Sequence, residues 1–222
     1  MQTIKLVIFD LDGTLANTLP LCIQAFRQSV EPLINRSITD SEIIATFGPS
    51  EEGTIKQLAP DYYDRGVADY LSLYENLHEM CPEPFEGIRD LLEWLNEKKF
   101  PIALVTGKGL YSTEISLKRF GIRHFFQHIE TGSSVGPRKV DGIKAVMSHY
   151  PNIKTEEVIY VGDAPSDIEA CKIVGIPIVA AAWAETAEPK KLIPLAPEHI
   201  FFHLEDFVYW LKNGITTISL NH

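Results

Sequence analysis

The stretch Ile4-Lys5-Leu6-Val7-Ile8-Phe9-Asp10-Leu11-Asp12-Gly13-Thr14-Leu15 decides how this chain folds. Residues 4–9 are apolar except for Lys5, the composition of a strand buried on both faces of a parallel sheet. The run then ends abruptly in two aspartates and a glycine. Side chains of an extended chain alternate with period two, so Asp10 and Asp12 leave on the same side, and Gly13 permits a tight turn after them. Two carboxylates ~4 Å apart repel by about 4 kcal/mol at an effective dielectric of 20, so a close pair needs a cation or a shared proton. A divalent metal is one answer. An Asx-turn or helix cap, with no ligand at all, is the other.

Working outward, Ile102–Val105, Val158–Val161 and Ile176–Ala180 are further short, mostly aliphatic runs, and Phe126–Glu130 and His199–Phe202 are weaker ones. Between them the apolar spacing changes to three and four, as in Ile88, Leu91, Leu92 and Leu95, or Ile115, Leu117 and Phe120. Leu204–Trp210 reads as a closing helix, and the aromatic residues Trp94, Trp183, Trp210, Phe201, Phe202, Phe207 and Tyr209 read as core. Strands alternating with helices predict an α/β fold: a three-layer, doubly wound parallel sheet with a Rossmann-type core. With 222 residues, 45% of them hydrophobic, the chain has ample apolar material for one or two domains.

The alternation is interrupted once. From Leu15 to Pro84 only helical patterns occur, notably Leu21–Val30 and Tyr62–Met80, before the proline-bracketed Cys81-Pro82-Glu83-Pro84. The expected division is therefore core 1–14, a helical cap 15–84 and core 85–222. The insert carries four bases (Arg27, Arg36, Lys56, Arg65) and eleven acids, −7 of a total −10. Such an excess reads first as a solvated surface. It is also a poor lid for a highly anionic substrate such as a nucleotide.

A charge of −10 gives no compositional support to nucleic-acid binding, which runs on Lys and Arg. A small-molecule partner is expected. Cys22, Cys81 and Cys171 lack zinc spacing and an even-numbered framework, so free thiols in a reducing cytoplasm are expected. Leu6–Phe9 is too short for a signal peptide and Ile176–Ala184, broken by Pro177, too short to span a bilayer, so a soluble, unprocessed protein with no membrane partner is expected.

Ligands of doubly wound sheets bind at the carboxyl ends of strands. Three such ends are strongly polar: Asp10-Leu11-Asp12-Gly13-Thr14, Thr106-Gly107-Lys108 and Gly162-Asp163-Ala164-Pro165-Ser166-Asp167. All-oxygen ligands from separate strands suit magnesium better than zinc. Asp167 can equally be a helix N-cap, a role open to Ser166 as well. Thr106 and Gly107 supply a hydroxyl and an accessible N–H for a phosphate oxygen. Lys139, before a helix starting near Asp141, can bring a cation to the same crevice or lie on the surface.

Together these residues carry a resemblance. Asp10-Leu11-Asp12-Gly13-Thr14-Leu15 resembles the first motif of the haloacid dehalogenase-like superfamily, Thr106 its second, Lys139 its third and Gly162-Asp163 through Asp167 its fourth. Four fixed identities in Asp-x-Asp-Gly-Thr recur by chance about once in 10⁵ positions. The insert, and Pro84-Phe85-Glu86-Gly87-Ile88 on the return to the core, are similar to the subgroup of phosphoglycolate phosphatases, β-phosphoglucomutases and related pyrophosphatases. Two positions depart from the pattern: the third motif reads Lys139-Val140 where Lys-Pro is usual, which leaves Lys108 as a substitute cation, and Gly107 stands where Asn or Ser is frequent.

The resemblance implies a magnesium-dependent phosphatase acting on a small phosphorylated metabolite. Asp10 would be the nucleophile that forms an aspartyl-phosphate, and Asp12 the general acid and base. Magnesium would be held by Asp10, the Asp12 carbonyl, Asp163 and Asp167. Thr106, Lys139 and the N–H groups of Leu11 and Gly107 would hold the phosphoryl group. Members acting on carbon–halogen bonds lack the second aspartate, so Asp12 points to phosphoryl transfer. In the insert, Asn17, Thr18, Phe47, Gly48 and Ser50 are candidate substrate neighbours, with Gly48 and Ser50 at a turn that has subgroup precedent. The alternatives are a phosphomutase, an inorganic pyrophosphatase and a non-catalytic binding protein on the same fold.

Overall fold

The computed structural model describes residues 3–215. Six strands form one parallel sheet: β1 (Leu6–Phe9), β2 (Ile102–Val105), β3 (His128–Glu130), β4 (Val158–Gly162), β5 (Ile178–Ala181) and β6 (His199–Phe201), in the order β3-β2-β1-β4-β5-β6. From β1 the chain winds outward through β2 and β3, then crosses back to β4 and winds the other way. β1 and β4 therefore flank the point where the winding reverses, which opens a crevice at their carboxyl ends.

Ten α-helices accompany the strands among the described residues. Four lie in the insert: α1 (Leu19–Ile34), α2 (Asp40–Ile44), α3 (Glu51–Leu58) and α4 (Tyr63–Asn76). The others are α5 (Ile88–Glu97), α6 (Leu110–Phe120), α7 (Lys139–Ser148), α8 (Pro165–Val174), α9 (Pro189–Leu192) and α10 (Leu204–Gly214). Period-two alternation splits each central strand between two cores. Val7, Phe9, Ile102, Leu104, Ile159 and Val161 face α5, α6 and α10 in a core continuous with the insert. Leu6, Ile8, Ala103, Val105 and Tyr160 face α7 and α8. A sheet covered on both faces is why these strands read as unbroken apolar runs.

Several boundaries differ from the sequence reading. Pro177 has no N–H for the ladder, so β5 starts at Ile178. α1 extends beyond Leu21–Val30 at both ends, with Pro20 in its first turn and Asn35 closing it at a left-handed φ of 51°. The Tyr62–Met80 pattern is α4 followed by a tighter 3₁₀ turn over Leu77–Met80. α7 begins at Lys139 itself rather than near Asp141. Of the aromatic set, Phe207 is buried and Trp94, Trp183, Trp210 and Phe201 pack half-buried against the core, whereas Phe202 and Tyr209 are exposed. α10 turns one face outward there, and Tyr209 rides on it. All three cysteines are buried free thiols. Among the described residues no helix is long and apolar enough to cross a membrane.

Candidate active site

The site is built by three neighbouring strand ends. After β1, the Asp10 N–H still donates to Val161 O across the sheet (2.9 Å), which fixes the aspartate beside β4. The chain then turns tightly: Leu15 N–H donates to Leu11 O and Gly13 N–H to Ala16 O, both at 2.9 Å. Gly13 sits at φ +70°, and a Cβ there would lie 2.0 Å from Asp163 Oδ2. Only glycine lets the β1 turn approach the β4 carboxylate this closely. At Gly162 a Cβ would meet Asp167 Oδ2 at 2.5 Å, so the second glycine makes room for the other acid.

One carboxylate oxygen from each of Asp10, Asp163 and Asp167 lies within 4.8 Å of the other two. Burial raises Asp10, with Asp167 pushing the same way and Lys139 opposing. Burial, then Asp10 and Asp167, drives Asp163 well above the usual carboxylate range. Three acids brought this close, with oxygen donors alone, fit a compact, hard divalent cation. Asp167 also holds the start of its own helix: Oδ2 accepts the Ala164 N–H at 2.9 Å, and Oδ1 accepts the Tyr160 hydroxyl at 3.1 Å. The N-cap of α8 is Ala164, not Asp167 or Ser166 as expected; Asp167 is the third residue of the helix and reaches back to the Ala164 N–H from there.

Lys139, first residue of α7, donates from Nζ to Asp10 Oδ2 at 2.6 Å and also to Asp167 Oδ1. Burial works against its charge, but the two carboxylates more than compensate and hold its pKa above that of a free lysine. Of the two lysines weighed from sequence, Lys139 is the one in contact with Asp10. Leu11 N–H donates to Asp10 Oδ1 at 2.7 Å. Thr106 is buried at the end of β2, and its Oγ1 accepts the Lys108 N–H at 3.2 Å. A Cβ on Gly107 would lie 3.7 Å from the Lys139 side chain, so the second and third motifs adjoin.

Asp12 faces differently. Its carboxylate accepts the Thr18 hydroxyl and lies 3.4 Å from Lys108 Nζ, apart from the three-acid cluster. Any part in holding a metal falls to its backbone carbonyl. Burial raises its pKa, against the pull of Lys108 and Thr18.

Lys108 itself is buried. Its Nζ meets Glu51 Oε1 at 3.0 Å and Cys22 Sγ at 3.2 Å, and lies 4.4 Å from the centre of the Tyr74 ring. Burial pushes Glu51 up, but Lys108, the Ser112 hydroxyl and the Gly109 N–H outweigh it and hold Glu51 below the usual range. This network joins the insert to the core, and it escaped the sequence reading. Glu51 lies 58 positions before Gly109 and belongs to no motif, so only the fold brings them together.

A cleft of about 540 Å³ opens over these residues, walled by the core on one side and the insert on the other. Gly48 and Phe47 line it. Ser50, expected near substrate, is buried with its N–H on Ser133 O and its hydroxyl on Glu52, and it does not line the cleft. The α3 start seats the insert against the 132–137 loop, which is where Ser50 is used. Asn17 is likewise engaged elsewhere, accepting the Thr186 hydroxyl at 3.2 Å. Thr18 reaches the site only through Asp12.

Residues 7–181 match the haloacid dehalogenase-like hydrolase family. The chain is 32% identical to a pyrophosphatase PpaX of Halalkalibacterium halodurans over 188 residues, 83% of this chain and 86% of the relative. A PpaX of Listeria monocytogenes serotype 4a is 30% identical over 209 residues, covering 92% and 95%. Among solved structures, a haloacid dehalogenase-like family hydrolase from Streptococcus pneumoniae superposes with a TM-score of 0.75 at 27% identity, over 95% of this chain and 100% of that one. An acidic cluster at the reversal point of a parallel sheet, Asp-x-Asp-Gly-Thr after its first strand and a match spanning most of the sequence place this chain in the haloacid dehalogenase-like hydrolase family.

Proposed function

We propose that the protein is a magnesium-dependent phosphatase that hydrolyses a small phosphorylated metabolite through an aspartyl-phosphate, with residues 15–84 acting as a cap over the core formed by 1–14 and 85–222. The observation that carries this is the separation of the two first-motif acids. Asp10 is held by Lys139 beside Asp163 and Asp167, whereas the Asp12 carboxylate lies apart from that cluster with Thr18 and Lys108. Two neighbouring carboxylates thereby receive the environments of a nucleophile and of a proton donor.

An Asp10 oxygen attacks phosphorus as the bond to the leaving oxygen breaks, and Asp12 gives that oxygen its proton. Asp12 then takes a proton from the water that attacks phosphorus, releasing inorganic phosphate and restoring Asp10. Thr106 and the N–H groups of Leu11 and Gly107 hold the phosphoryl oxygens, and Lys139 offsets their charge. Magnesium, held by Asp10, Asp163, Asp167 and the Asp12 carbonyl, would supply Lewis-acid charge neutralisation when bound. The requirement is large, because one anion attacks another and enzymes accelerate phosphate-monoester hydrolysis by up to ~10²¹-fold.

The relatives named pyrophosphatase bring a second reading of the substrate, inorganic pyrophosphate. A phosphomutase has less support, since three insert bases are paired outside the site: Arg27 with Asp40, Arg36 with Glu42 and Arg65 with Asp69. Lys56, the fourth, is exposed and does not line the cleft.

The test is phosphate release from p-nitrophenyl phosphate. Activity is expected with magnesium, none with excess chelator, and a loss of about 10³-fold or more in Asp10→Asn. Full activity of Asp10→Asn, or indifference to chelator, contradicts the reading.

A further inference from the structure

The cleft is chemically lopsided. Its phosphoryl end holds the acids and Lys139 described above. The opposite wall, supplied by the insert, is mostly apolar: Leu19, Cys22, Phe26, Ile44, Phe47 and Pro49, with Gly48, Thr54 and the acid Glu51. The Phe26 and Phe47 rings lie 6.1 Å apart, and Ile44 and Phe47 are 45% and 41% exposed, so the apolar surface faces open space. The insert places no lysine or arginine on that wall.

Three cations line the cleft among the described residues, and each is already paired. Lys139 holds Asp10 and Asp167, and Lys108 holds Asp12 and Glu51. Arg138 holds Glu130 at 3.1 Å and the Thr131 carbonyl at 3.1 Å. The remaining charged groups along the cleft, Glu169 and Glu188, are acids. A negative leaving group on this wall would face Glu51, Glu169 and Glu188 with no unpaired cation beside it, and like charges disfavour it there.

We infer that the substrate is a phosphate monoester whose leaving group is an uncharged, partly apolar alcohol or phenol, seated against Ile44 and Phe47, and not a second phosphate or a carboxylate-bearing group. The inference rests on the phosphatase reading above and narrows it: phosphoglycolate and pyrophosphate, both with anionic leaving groups, become poor substrates. The bond broken is that between phosphorus and the alcohol oxygen, which leaves with the proton from Asp12.

The experiment compares kcat/KM for phenyl phosphate, 4-carboxyphenyl phosphate and pyrophosphate, with acetyl phosphate as a probe of the phosphoryl end alone. The first pair differ in one negative charge at the far end of the leaving group. The expected result is hydrolysis of acetyl phosphate and a preference of about tenfold or more for phenyl phosphate over both 4-carboxyphenyl phosphate and pyrophosphate. Phe47→Lys, which places a cation on an exposed position of the wall, is expected to narrow the preference over 4-carboxyphenyl phosphate. Hydrolysis of acetyl phosphate with pyrophosphate or the carboxylated ester turned over as well as phenyl phosphate overturns this inference and leaves the phosphatase reading standing. Inertness toward all four overturns the phosphatase reading itself.

Discussion

Gly13 shows how narrowly single residues set this site. Its φ of +70° is disfavoured for any L side chain, and a Cβ would coincide with the Asp163 carboxylate. Gly13→Ala should displace Asp163 from the cluster and raise the magnesium concentration for half-maximal activity by about 10-fold or more, since groups that orient metal ligands carry effects of that size. A magnesium titration of phosphatase activity checks it; an unchanged half-saturation point contradicts it. At this scale the sequence was informative wherever chemistry and local backbone coincide. Asp10 and Gly13 are legible because the end of an apolar strand and a turn mark them. The chain is already turning at Asp12, so its carboxylate lies with Thr18 and Lys108 and not beside that of Asp10 as period two predicts. Glu51 and Tyr74 were not legible, because an acid at a helix start and a tyrosine at helical spacing are each ordinary in isolation.

At the scale of elements, the contact between α3 and α6 has the clearest energetic content. Gly109 precedes α6 and has no side chain to cap it, and its buried N–H is met by Glu51 from the insert. Its carboxylate accepts the Gly109 N–H at 2.5 Å and the Ser112 hydroxyl at 2.7 Å, a favourable charge for a helix N-terminus. A Cβ at Gly109 would stand 2.7 Å from Glu52 Oε2 and 2.9 Å from Glu51 Oε2, so the two acids that open α3 occupy the space that glycine leaves. Glu51→Ala removes the cap and strips buried Lys108 of one of its two carboxylates, and should destabilise the protein by about 3 kcal/mol at neutral pH. Because Glu51 is held below the usual range in the folded state, its contribution is present above an unfolded pKa of about 4.3 and is lost as pH falls through the lower folded value. Urea unfolding should therefore show wild type and variant converging on acidification; a gap that widens toward acid contradicts this assignment. Element boundaries in the sequence reading erred where a local rule acted, as at Pro177, or where a helix tightened to 3₁₀ instead of stopping, as at Leu77.

For the whole molecule, the parallel sheet was legible because burial on both faces removes polar alternation from its central strands. The edge strands β3 and β6 are three residues long and half-buried, and were correspondingly faint. The seating of the insert on the core was not legible, since it depends on contacts such as Ser50 N–H to Ser133 O between segments far apart in the chain. That seating sets an electrostatic floor opposite a mostly apolar wall, and the proposed chemistry takes place at the floor. The most direct measurement is chemical trapping: incubate the enzyme with magnesium and a phosphate ester, quench with borohydride, and map the digest by mass spectrometry. Reduction of an acyl phosphate to homoserine at position 10, dependent on substrate, is expected. Homoserine at another carboxylate, or turnover with no trapped modification under conditions where the ester is consumed in a single cycle, would contradict it.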